Sequence, residues 1–131
     1  MRSVFFHGLA AGALSSLAAI IYCNAYTNAL AVNFSQIINP VSMAGSSIVG
    51  CLLASLGFFV FSRKMKKNPD VWFNVIFTVL TFASCAGPFA TRLPLNISAP
   101  ELFIGLVMPM HFFPQLFWMS TKPLFSYGRT K

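Results

Sequence analysis

Residues 99–121 read APELFIGLVMPMHFFPQLFWMST. From Glu101 to Met119 this is an apolar run of roughly 19 residues, enough α-helix at 1.5 Å per residue to cross a hydrocarbon core of ~30 Å. Glu101, Met108, His111 and Gln115 follow at intervals of seven, three and four, so a helix gathers them on one side. Pro109 and Pro114 have no N–H, which frees the carbonyls of Gly105 and Met110. Lipid cannot satisfy those carbonyls, so they must turn towards protein or trapped water. A bent helix with a polar stripe belongs on the inside of a bundle.

Composition agrees with that reading. Of 131 residues, 56 % are hydrophobic and only 8 % are charged, where a soluble domain carries about a quarter charged residues. So little polar surface predicts an all-α integral membrane protein, with residues 1–131 as one transmembrane domain. The net charge of +7 does not predict a nucleic-acid partner, because the basic residues stand in short clusters at the ends of apolar runs. Cys23, Cys51 and Cys85 show no local pairing, so a disulfide framework or thiol redox motif is not expected.

Working back towards the N-terminus, residues 71–90 form another apolar segment with Asn74, Thr78, Thr81 and Cys85 at one-face spacing. Pro88 frees the carbonyl of Ser84. Counted from the ends, Asn74 falls level with Gln115 and Thr81 with His111, which predicts two interhelical hydrogen bonds worth about 0.6–2 kcal/mol each. Between these segments, Thr91–Pro100 is expected to be a short turn, with Arg92 beside Glu101 as its ion-pair partner.

Residues 43–62 and 4–22 complete four predicted spans. Gly8 and Gly12, continued by Ser15 and Ala19, and Ser46, Gly50, Ala54 and Gly57 form two small-residue faces expected to pack on each other. The first run resembles a secretory leader but is longer than a leader core. Tyr22 before Cys23 also does not suit lipoprotein processing, so a retained helix is expected. Cys23–Val41 carries no charge and is expected to be a long loop, with residues 29–38 as a short interfacial helix ended by Pro40.

Arg63, Lys64, Lys66 and Lys67 crowd one turn. With Arg2, Lys122, Arg129 and Lys131 they make eight basic residues on one side of the bundle, against Arg92 alone on the other. The positive-inside rule then gives an antiparallel four-transmembrane-helix bundle with both termini cytoplasmic.

Several chemistries have no residues to carry them. There is no Gly-rich phosphate loop, no HExxH and no nucleophile elbow. The first span holds no carboxylate of the kind a small multidrug exporter needs. A copper site from Met108, Met110 and His111 fails because the two methionines point about 200° apart on a helix. No cofactor, metal or catalytic activity is expected.

The four spans, the GLAAG-type first helix, the uncharged loop, the basic middle turn and the Met110-His111 pair occur together across nearly the whole chain. That pattern resembles an uncharacterised family of small bacterial four-helix membrane proteins. The resemblance implies a bundle in the bacterial cytoplasmic membrane with no assigned activity.

The leading expectation is a non-enzymatic membrane protein that binds a hydrophobic or amphipathic ligand, or a partner helix, in a cavity between the third and fourth spans. Pro88, Pro109 and Pro114 would open it. His111, Gln115, Thr81, Thr78 and Asn74 would line it, with Glu101 and Arg92 at its mouth. His111 has a plainer reading as well, an imidazole bonded to a carbonyl. A second expectation is an accessory subunit, or a homo-oligomer, held to its partners through Gly8, Gly12 and Gly50. The third is a transporter or membrane enzyme using His111.

Overall fold

A computed structural model describes residues 2–125; the tail residues Tyr127, Arg129 and Lys131 lie outside the described residues. The chain forms α1 (Arg2–Leu30), α2 (Pro40–Lys64), α3 (Pro69–Ser84), a short α4 (Ala86–Ala90) and α5 (Leu102–Thr121), which runs into a 3₁₀ turn over Lys122–Phe125. Among the described residues four helices are long and apolar enough to cross a membrane: Ser3–Leu30, Pro40–Lys64, Pro69–Ala90 and Leu102–Phe125. Most of their side chains face outward, including Leu53, Leu56, Val75, Val79 and Phe82. Water would not tolerate that surface and lipid does, so this is a multi-pass membrane protein.

Helix ends correct two sequence expectations. The expected loop at Cys23–Val41 is mostly helix: α1 continues two turns further and stops at Ala31, whose φ of 52° places it in the left-handed region. The Val32 N–H closes this end on the Thr27 carbonyl at 3.1 Å. Residues 29–38 form no interfacial helix; Phe34 folds inward instead and is 2 % exposed against Phe103 and Leu106. The second span starts at Pro40 rather than residue 43, because Asn39 caps it. Asn39 Oδ1 accepts from the Ser42 N–H at 2.8 Å, Ser42 Oγ accepts from the Asn39 N–H at 3.2 Å, and Pro40 needs no partner at the first helical position.

Helices α1 and α2 pack along most of their length, α5 lies against α1, and α3 touches α2 and α5 sparingly. The first seam depends on glycine. A Cβ on Gly8 would stand 2.5 Å from Ser55 Oγ, and one on Gly12 would stand 2.8 Å from the Ile48 Cα. Ser16 Oγ bonds the carbonyls of Gly12 (2.7 Å) and Ala44 (3.2 Å), tying the helices together above that approach. The α2 face in this seam is Ala44, Ile48, Cys51 and Ser55. The expected face, Ser46, Gly50, Ala54 and Gly57, is turned elsewhere: nothing lies within 4 Å of a Cβ on Gly50, and Gly57 abuts Phe73 at 3.5 Å. Both faces have small residues at helical spacing, and the period alone does not choose between them.

Helices α1 and α5 are joined at both ends. Tyr22 Oη donates to the Gly105 carbonyl at 3.0 Å, the carbonyl that Pro109 frees, and Tyr26 Oη donates to the Leu102 carbonyl at 2.9 Å. At the other end His7, fully buried, bonds the Trp118 carbonyl (2.9 Å) and Thr121 Oγ1 (3.1 Å) and stacks on Phe125. Trp118 centres an aromatic cluster with Phe58, Phe73 and Phe77. Lys122 Nζ covers the rings of Phe58 (4.2 Å) and Trp118 (4.9 Å). It also stands 2.9 Å from Asp70 Oδ1, off the hydrogen-bonding direction and so as an ion pair. The start of α1, the Arg63–Lys67 turn and Lys122 share this end of the bundle, the cationic end; residues 31–39 and 91–101 cover the opposite end.

Candidate functional site

Because α3 leans away, a cleft of about 790 Å³ opens between α2 and α3, with α5 as its floor. From α2 it takes Ser42, Ser46, Ser47, Gly50 and Gly57; from α3, Phe73, Phe77, Leu80, Thr81 and Ser84. From α5 it takes Val107, Met110, His111 and Pro114. The volume lies within the ~300–1,000 Å³ range of small-molecule sites.

Contacts between the helices fix the depth of each lining residue. Trp118 Nε1 donates to Ser55 Oγ at 3.2 Å, and Cys51 Sγ reaches the Pro114 carbonyl at 3.6 Å, each pair 63 residues apart. Parallel helices with that offset set His111 level with Ile48. Helix α3 runs the other way, with Phe73 against Gly57. Counting residue for residue from there puts Ser84 level with Ser46 and Thr81 level with Val49. The hydrogen bond from Gln115 to Thr78 and the edge-to-face pair Phe82–Phe112 give the same register. Ser46, Ser47, Thr81, Ser84 and His111 therefore form one polar layer, about 12 Å along α2 from Pro40 at 1.5 Å per residue. Below it, towards the cationic end, roughly 13 Å of the cleft is walled by Leu53, Ala54, Gly57, Phe73, Ile76 and Phe77.

The predicted site residues divide. His111 and Thr81 line the cleft, but they do not bond each other. His111 Nδ1 lies 2.9 Å from the Val107 carbonyl and Thr81 Oγ1 donates to the Phe77 carbonyl at 2.9 Å, each back to its own helix. Gln115 and Thr78 are partners, one turn from the expected Asn74–Gln115 pairing. The register is shifted because counting started from helix ends that the structure moves. Gln115 and Thr78 sit behind the cleft wall as the clamp between α5 and α3, and Asn74 Oδ1 is enclosed with no hydrogen-bond partner among the described residues. Glu101 and Arg92 are both exposed, do not line the cleft and form no ion pair with each other. The cavity is also wider than expected, since α2 forms one whole wall.

Sequence reasoning missed that wall and the buried His7. Ser46, Gly50 and Gly57 were visible as a stripe, yet a stripe does not say which neighbour it meets. The aromatic crowding around Trp118 and the hydroxyl of Thr121, which has Phe117 and Phe125 four residues to either side, was the available signal for His7. Cys51 and Cys85 are buried, with Cys85 Sγ turned to the Thr81 carbonyl at 3.4 Å. Among the described residues no group of three His, Cys, Asp or Glu side chains comes together.

No protein-family model, no curated protein and no solved structure matches this chain.

Proposed function

We propose that this protein is a non-enzymatic membrane protein that holds one single-chain amphipathic molecule in the α2–α3–α5 cleft. The polar group would rest in the Ser46–Ser84–His111 layer and the chain would lie along Gly57, Phe73 and Phe77. The observation that carries this reading is the two-part wall: a single layer of hydroxyls and imidazole above a long apolar trough that opens sideways to lipid. Size argues for a small ligand rather than a partner helix. A spanning helix ~10 Å across and ~30 Å long occupies roughly 2,400 Å³, about three times the cleft. Gly8 and Gly12 are used within the bundle, against Ser55 and Ile48, so they offer nothing to an outside subunit. In this proposal the cationic end faces the cytoplasm, as the positive-inside rule implies, and the membrane is a bacterial inner membrane, as the sequence resemblance implies.

A diazirine-bearing alkyl probe in bilayers containing the full chain tests this. Labelling should concentrate on residues 42–57, 73–84 and 107–114 and should fall when Gly50→Trp fills the cleft. Labelling spread evenly over the lipid-facing Phe5, Phe6, Leu14 and Leu17 of α1, unchanged in Gly50→Trp, would refute it.

A further inference from the structure

We infer that the polar layer of the cleft selects an uncharged headgroup that donates hydrogen bonds, an alcohol or polyol. The inference rests on the cleft reading above and specifies its ligand.

It follows from where the protons of the layer already go. A carbonyl only accepts, so the 2.9 Å contact with Val107 requires the His111 proton on Nδ1. In that tautomer Nε2 is left with a lone pair, an acceptor. Ser46 donates to the Met43 carbonyl (3.1 Å), Thr81 to that of Phe77 (2.9 Å) and Ser84 to that of Thr81 (2.7 Å). One turn above, Ser42 donates to the Asn39 carbonyl at 2.8 Å. Each oxygen has used its one proton on its own helix and keeps lone pairs for a ligand. Among the described lining residues, Ser47 alone has a hydroxyl proton not given to the backbone. The wall is therefore rich in acceptors and poor in donors.

Charge narrows the class further. Among the described residues no Asp, Glu, Lys or Arg lines the cleft. A carboxylate or phosphate head would meet acceptors and no cation, and an ammonium head would have no anion beside it. Either ion would be stranded in a low-dielectric wall, which is expensive. An ether or a bare alkane would leave the acceptors unanswered. A hydroxyl meets both conditions, giving its proton to His111 Nε2 or a serine oxygen while accepting from Ser47.

The test is competition against the diazirine probe, with the full chain in lipid nanodiscs and competitors at matched mole fraction in the bilayer. Dodecanol, dodecyl methyl ether, dodecanoate and dodecyltrimethylammonium share a chain and differ in the head. Dodecanol should displace the probe about tenfold better than the ether, and both ions should compete more weakly than the ether. His111→Leu should bring alcohol and ether together by weakening the alcohol only, and Thr81→Val, which keeps the side-chain shape, should narrow the gap if His111→Leu does not fold. Ether or dodecanoate competing as well as dodecanol would overturn the headgroup inference while leaving the cleft reading standing. Displacement by none of the four, with the probe still bound, would overturn the headgroup inference too. Loss of site-specific labelling by the probe itself would bring down the cleft reading and this inference with it.

Discussion

Two glycines on neighbouring helices, Gly12 in α1 and Gly50 in α2, should respond differently to the same substitution. Gly12→Ala places a methyl group 2.8 Å from the Ile48 Cα, a backbone atom that no rotamer change can move. To restore ordinary contact near 3.4 Å, α1 and α2 must part by about 0.6 Å. A gap of that size forfeits a quarter or more of the dispersion energy of the neighbouring contacts, and it pulls Ser16 away from the Ala44 carbonyl, already at 3.2 Å. Overpacking of this kind costs about 1–3 kcal/mol, against at most ~1 kcal/mol gained by placing alanine for glycine within a helix. Gly50→Ala has that same gain and nothing within 4 Å to oppose it, so it should be neutral or stabilising by up to ~1 kcal/mol. Thermal unfolding in detergent, followed by tryptophan fluorescence, to which the buried Trp118 and the exposed Trp72 both contribute, should rank the proteins Gly50→Ala, wild type, Gly12→Ala. If Gly12→Ala is as stable as Gly50→Ala, the α1–α2 seam is not where the glycines place it.

Other perturbations test other joints. Tyr22→Phe should cost about 0.6–2 kcal/mol, because it strands the Gly105 carbonyl. In a Pro109→Ala background, where residue 109 again has an N–H for that carbonyl, the cost should shrink, and a double-mutant cycle reads the coupling. Phe34→Ala removes a nearly fully buried ring that pins residues 31–39 over the bundle end; a loss of about 3 kcal/mol and protease cleavage within that loop should follow. Asp70→Asn leaves Lys122 among the rings of Phe58 and Trp118 without its anion. With Asp70 45 % exposed, the loss should be about 1 kcal/mol, whereas Lys122→Met, which removes the charge and keeps the packing, should be close to neutral.

The number of spans and their antiparallel order were legible because each rests on local sequence: length, hydropathy and cationic turns. The carbonyl of Gly105 was identified as needing a partner from Pro109 alone, although its partner Tyr22, 83 residues away, was not. What escaped was whatever depends on rotation of one helix about its axis. Gly50 and Gly12 look alike in sequence, yet one faces a cleft and the other a backbone. Thr78 rather than Asn74 meets Gln115 because α5 runs on through its 3₁₀ turn to Phe125, well past the expected end at Met119, whereas α3 starts only slightly early at Pro69, which slides their relative depth by about a turn. The end of α1 at Ala31 was hidden because an alanine in the left-handed region carries no sequence mark, unlike the glycine that usually ends a helix.

The most direct measurement is native mass spectrometry of the full chain released from nanodiscs, comparing wild type with Gly50→Trp. The expected result is a discrete small-molecule adduct on the wild type that disappears when the cleft is filled. An adduct retained at the same mass and occupancy in Gly50→Trp, or a wild-type chain that carries none, would contradict the reading of the cleft as a binding site.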